Sequence, residues 1–99
     1  GFEKHLQSGP VRFEGEIDRV YENVGATQII KGAPNLEITG ENCPTAILWN
    51  PGAALAETLA DVGGAYKEYI CVERGAAFAD FWELKPQESR TSFLKIKNV

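Results

Sequence analysis

Short apolar runs broken by turn residues dominate the 99-residue chain, a pattern that favours a mostly β protein. Residues 27–30, Thr-Gln-Ile-Ile, read as one strand, after which Gly32-Ala33-Pro34 turns the chain. Residues 36–39 alternate apolar and polar side chains, as a half-buried strand does. Residues 45–49, Thr-Ala-Ile-Leu-Trp, form a more continuous apolar run and read as a central strand. Asn50-Pro51 then changes the pattern: Asn suits an N-cap and Pro suits a first helical turn. Leu55, Leu59 and Val62 keep helical spacing, so 53–62 is expected to be one short helix, stopped by Gly63-Gly64. Residues 69–74, 81–84 and 91–97 again read as strands. About six strands and one helix, joined by connections too short for crossovers, imply antiparallel pairing.

Ninety-nine residues make one small domain, and such a chain buries roughly 60–65% of the surface it exposes when unfolded. The first ten residues, with Ser8-Gly9-Pro10, have no period and read as a loop entering from an upstream part. The net charge of −4 with scattered Lys and Arg argues against nucleic-acid binding, which needs a concentrated positive field. No apolar stretch of about 18 residues is present to span a membrane, and the N-terminus lacks the apolar core of a signal peptide. Cys43 and Cys71 match no metal-binding spacing. They read as reduced thiols of a cytoplasmic protein, with Cys71 as a small core residue, and a single long-range bridge is the other arrangement.

The common catalytic signatures are absent: no phosphate-binding loop, nucleophile elbow, zinc spacing or dinucleotide fingerprint occurs. The only histidine, His5, reads as a solvated side chain near the end of the chain. Glu73 is more informative. In an extended segment Tyr69, Cys71 and Glu73 share one face and Ile70, Val72 and Arg74 the other, so apolar residues occupy both. A carboxylate ending a strand buried on both sides is costly to desolvate unless it has partners or chemistry to perform, and burial would suit it as a general base. The plainer reading is a surface ion pair with Arg74 or Lys67. Glu14, Glu16 and Asp18 fall on one strand face, which reads either as a solvated face or as hydrogen-bonding groups for a polyol. Trp49-Asn50-Pro51 reads as a core tryptophan and a helix cap in preference to a sugar-stacking platform with an amide donor.

The order of these segments carries more than any one of them. Residues 15–21 (Gly-Glu-Ile-Asp-Arg-Val-Tyr) come first, then Leu48-Trp49-Asn50-Pro51 and an Ala-rich helix ending in Ala60-Asp61. Residues 66–75 (Tyr-Lys-Glu-Tyr-Ile-Cys-Val-Glu-Arg-Gly) and Leu84-Lys85-Pro86 follow. From about Val11 onward the chain resembles the C-terminal part of the hexose-6-phosphate mutarotases, the glucose-6-phosphate 1-epimerases of the aldose 1-epimerase superfamily. The resemblance implies an antiparallel β-sandwich of the galactose-mutarotase type, of which residues 1–99 are a single C-terminal segment. It implies interconversion of the α and β anomers of a hexose 6-phosphate without metal or organic cofactor. In that mechanism a glutamate takes the proton of the anomeric hydroxyl while a histidine protonates the ring oxygen. The ring opens, rotates and recloses on the other carbonyl face. Glu73 falls at the position of the base, and Asp18 at that of an aspartate that binds sugar hydroxyls. Trp49 and Asn50 match a motif taken as structural.

The chain also departs from the pattern. The acid histidine and the phosphate-holding arginines of that family lie upstream of the part matched, and His5 does not fit the histidine motif. Arg74 stands where relatives often carry a small or apolar residue, Gly52 where they carry a bulky one, and Ala77 to Asp80 read differently. The resulting expectation is a piece that supplies the base and one sugar-binding carboxylate but not the acid. Two rivals stand beside it: a carbohydrate-binding β-sandwich without catalysis, and a structural fragment that pairs with a second copy or with the upstream part through exposed sheet edges.

Overall fold

The computed structural model describes Gln7 and residues 9–99; His5 lies outside the described residues. Six strands form two three-stranded antiparallel sheets. The first has the order β1 (Ile17–Tyr21), β4 (Thr45–Asn50), β5 (Cys71–Gly75). The second has the order β2 (Thr27–Ile30), β3 (Leu36–Glu41), β6 (Phe93–Asn98). One short helix, α1 (Gly52–Ala56), and two 3-10 turns, Gly63–Lys67 and Phe78–Asp80, complete the regular structure. This is the mainly β, antiparallel architecture that the apolar runs imply, and its two sheets fit the β-sandwich that the resemblance implies.

The register of β4 decides what each side chain meets. Opposed residues in an antiparallel ladder share a face, and successive residues alternate. Asp18 pairs with Trp49, which pairs with Cys71; Val20 pairs with Ile47, which pairs with Glu73. These residues therefore line one face of the first sheet. Ile17, Arg19, Tyr21, Ala46, Leu48, Asn50, Val72 and Arg74 line the other. The second group faces the second sheet, because the Arg74 guanidinium donates to Gln28 Oε1 on β2 at 3.1 Å. Gln28 pairs with Ile38 and so shares its face. Buried Ile17, Ala46 and Leu48 on the inner face of the first sheet and buried Ile38 on the face of the second that carries Gln28 thus form the core, each large side chain contributing about 1.5–3 kcal/mol.

Arg74 fastens the two sheets together. Besides Gln28, its Nε donates to the Cys43 carbonyl at 2.9 Å and Nη2 to the Gly25 carbonyl at 3.0 Å. A guanidinium fits this task because its five donors form a rigid fork. An arginine at a position expected to be small or apolar is therefore structural. Arg74→Met, which keeps the stem and removes the donors, lowers stability by about 2 kcal/mol in urea denaturation, with the slope of the transition unchanged.

The structure corrects four details of the expected elements. The helix ends at Ala56; residues 57–62 form turns, and Gly63 opens a 3-10 turn instead of stopping a helix. Residues 81–84 are not a strand: Phe81 and Leu84 are exposed, and neither sheet pairs with them. Burial and a ladder partner are what stabilise a strand, and this segment has neither. Cys43, not Cys71, is the buried thiol; Cys71 is half-buried on the outer face, and both are free. Glu14 and Glu16 precede β1, and Gly15, at φ 75°, breaks the extended backbone between them. Three carboxylates therefore do not line one strand. Among the described residues no helix is long and apolar enough to cross a membrane.

Candidate functional site

The face of the first sheet turned away from the core is open along its middle. Asp18 and Glu73 are exposed, and Trp49, Ile47 and Cys71 are half-buried. Asp18 and Glu73 sit on the two outer strands, one on each side of β4, offset by two residues. Strand spacing and rise put their Cα atoms roughly 12 Å apart. Both side chains project from the same surface, with Trp49 opposite Asp18 and Ile47 opposite Glu73. Two carboxylates thus flank an apolar strip in the middle of the sheet.

Neither carboxylate is engaged. Among the described residues Asp18 and Glu73 make no hydrogen bond or ion pair; Lys97 with Glu37 at 3.8 Å is elsewhere. Neither ion pair considered for Glu73 forms among the described residues: Arg74 points to the opposite face, and Lys67 makes no bridge to Glu73. Burial on both sides of the strand does not occur either, as Glu73 is exposed. The described residues therefore do not desolvate the carboxylate; a ligand or a covering segment would have to do so.

Two structures bound this open strip. At the Thr45 end, the Thr45 hydroxyl, almost fully buried, lies 3.0 Å from Asp80 Oδ2 and 3.1 Å from the Ala77 carbonyl. It also accepts from the Ala77 N–H, while Asp80 Oδ2 accepts from the Asn23 N–H at 3.0 Å. Glu22 Oε2 accepts from the Ala79 N–H at 2.6 Å. The unusual stretch from Ala77 to Asp80 is thus knotted to the β1–β2 loop as a wall beside Gly75. At the opposite end Asn50 is buried and fully used. Its Nδ2 donates to the carbonyls of Tyr66 and Tyr69 at 2.9 and 2.7 Å, and its Oδ1 accepts from the Gly52 N–H at 2.9 Å. Asn50 is accordingly a structural anchor and has no amide donor left for a sugar. Pro51, not Asn50, occupies the N-cap position.

Trp49 is the residue that sequence reasoning placed wrongly. It lies on the outer face and not in the core, where Leu48 sits, and its ring is 6.5 Å from that of Tyr69 at an interplanar angle of 37°. Five consecutive apolar or β-branched residues gave no alternation from which to tell the two faces of β4 apart. Among the described residues no group of three or more His, Cys, Asp and Glu side chains could hold a metal ion.

Fold and face together define a piece of an antiparallel β-sandwich whose outer sheet presents two free carboxylates around an aromatic strip. The chain is 34% identical, over 86 residues and 83% of its length, to a curated Cenchrus ciliaris protein provisionally named glucose-6-phosphate 1-epimerase. It is thus a sequence relative of that protein, in line with the resemblance that the order of motifs carries, and it spans about a quarter (26%) of that protein. No family model and no solved structure matches the chain.

Proposed function

We propose that this chain is the part of a hexose-6-phosphate mutarotase that carries the catalytic base and one sugar-binding carboxylate. The observation that supports this most is the shared open face. Glu73 and Asp18, assigned to base and ligand by the motifs around them, stand on different strands 55 positions apart in sequence and project from one surface. Nothing in a random placement of two acidic residues requires that. The similarity to a protein named for glucose-6-phosphate epimerisation points to the same substrate class.

In the proposed reaction Glu73 accepts the proton of the anomeric hydroxyl as the ring C–O bond breaks. The proton returned to the ring oxygen must come from another group. The described part of the outer face offers Asp18, Val20, Thr45, Ile47, Trp49, Cys71, Glu73 and Gly75, with no histidine among them. In this reading the acid, like the groups that hold the phosphate, comes from the upstream part of a longer protein, as the resemblance implies. Asp18 accepts hydrogen bonds from sugar hydroxyls and does not itself transfer protons.

The binding half of this reading is tested on the chain alone by titrating glucose 6-phosphate and following amide NMR shifts. Asp18→Ala weakens the affinity about tenfold, the worth of hydrogen bonds to a charged acceptor. Glu73→Gln changes it less than threefold, because a base acts chiefly on the barrier. Equal affinity for the parent chain and Asp18→Ala counts against the site.

A further inference from the structure

We propose that Trp49, supported by Tyr69, is the floor on which a pyranose ring stacks between Asp18 and Glu73. The proposal rests on reading the outer face as a sugar site, and adds to it which surface of the ligand is recognised and by what. Trp49 stands on the middle strand of that face, beside its Asn50 end and directly opposite Asp18 on β1 and Cys71 on β5. Its neighbours two residues along and across are Ile47, Val20 and Glu73. None of these is large enough to cover an indole, which is why the side chain stays only half-buried. The core has no use for it, since Leu48 and Ala46 already fill the inner side of β4.

A half-exposed indole beside two unpaired carboxylates matches one ligand chemistry well. A pyranose ring has C–H groups on its faces and hydroxyls around its equator. Laid on the indole, it buries apolar area against the ring and turns its hydroxyls outward, toward the carboxylates on either side. Tyr69 continues the aromatic surface at 6.5 Å and an angle of 37°. Its backbone is held by the Asn50 amide at 2.7 Å, and the same amide binds the Tyr66 carbonyl at 2.9 Å. The buried Asn50 thereby sets where the second ring lies, which gives the Trp-Asn pair a joint purpose: one residue is the floor and the next pins its extension.

The test uses the full chain carrying Trp82→Phe, which leaves Trp49 as the single indole. Glucose 6-phosphate is the probe, and sorbitol 6-phosphate, which has the hydroxyls and phosphate but no ring, is the control. Trp49 emission is expected to change with glucose 6-phosphate at the midpoint seen by amide NMR shifts, and not with sorbitol 6-phosphate. In the otherwise unaltered chain, Trp49→Leu is expected to weaken glucose 6-phosphate binding about fivefold and Trp49→Phe less than twofold. Tyr69→Leu is expected to weaken it about threefold, which keeps the test available should Trp49→Leu fail to fold. If glucose 6-phosphate binds but Trp49 emission stays constant, or the Tyr69 and Trp49 variants bind as the parent does, the stacking proposal is wrong and the sugar reading survives. If glucose 6-phosphate does not bind at all, both fall together.

Discussion

Gly52→Ala lowers the stability of this chain by about 3 kcal/mol, the largest effect expected of any single methyl group added to it. Gly52 adopts φ 70°, in the left-handed region that L side chains avoid, which accounts for about 1 kcal/mol. The greater part is steric. A Cβ built there would lie 2.6 Å from the Glu16 nitrogen and 2.7 Å from the Gly15 carbonyl carbon, both backbone atoms that cannot swing aside. Relieving the overlap means moving the segment before β1 or the start of α1, and overpacking of that kind costs about 1–3 kcal/mol. A domain of this size is stable by only about 5–15 kcal/mol, so a large share of the total is at stake. Urea denaturation measures it, and a loss under 1 kcal/mol would mean that the 15–16 turn is not packed on Asn50-Pro51-Gly52. A relative with a bulky residue at this position must carry the chain before β1 along another route.

That contact shows where reading the sequence stopped. Gly52 stood out as a departure from the pattern of its relatives, but the reason lies 36 positions away at Glu16, a distance no local pattern reports. Arg74 is a similar case: its three acceptors come from Gly25, Gln28 and Cys43, brought near only by the packing of the two sheets. What could be read was local. Residues 27–30, 36–39 and 45–49 fall within strands because alternation and β-branched runs are properties of neighbours along the chain. The apolar character of residues 81–84 misled, because a strand also needs a partner, and this segment lies along neither sheet.

For the site the balance is different. Glu73 and Asp18 were singled out through the motifs around them, while the local physics of each favoured an ordinary surface carboxylate. Their common face depends on the registers of β1 and β5 against β4, which put Asp18 opposite Trp49 and Glu73 opposite Ile47. Register follows from tertiary pairing and is not written in either segment alone. The same registers moved Trp49 from the core to the outer face. They also removed the burial expected to activate Glu73, so in the proposed role its environment must be completed by ligand and by whatever covers the sheet.

Removing the proposed base, Glu73, is expected to have the greatest functional effect. General base catalysis contributes about 10²–10⁴-fold, and Gln at position 73 keeps the size of the side chain while losing its ability to take a proton. The most direct measurement is the rate of glucose 6-phosphate anomerisation by a chimera. In it, the 86 matched residues of this chain replace the corresponding quarter of the Cenchrus ciliaris relative, which supplies the remaining groups. The folded chimera should interconvert the anomers above the buffer rate, and Glu73→Gln should lower that rate at least a hundredfold with glucose 6-phosphate affinity little changed. A folded chimera that keeps its rate with Glu73→Gln, or that is inactive before the change, contradicts the assignment of Glu73 as the base.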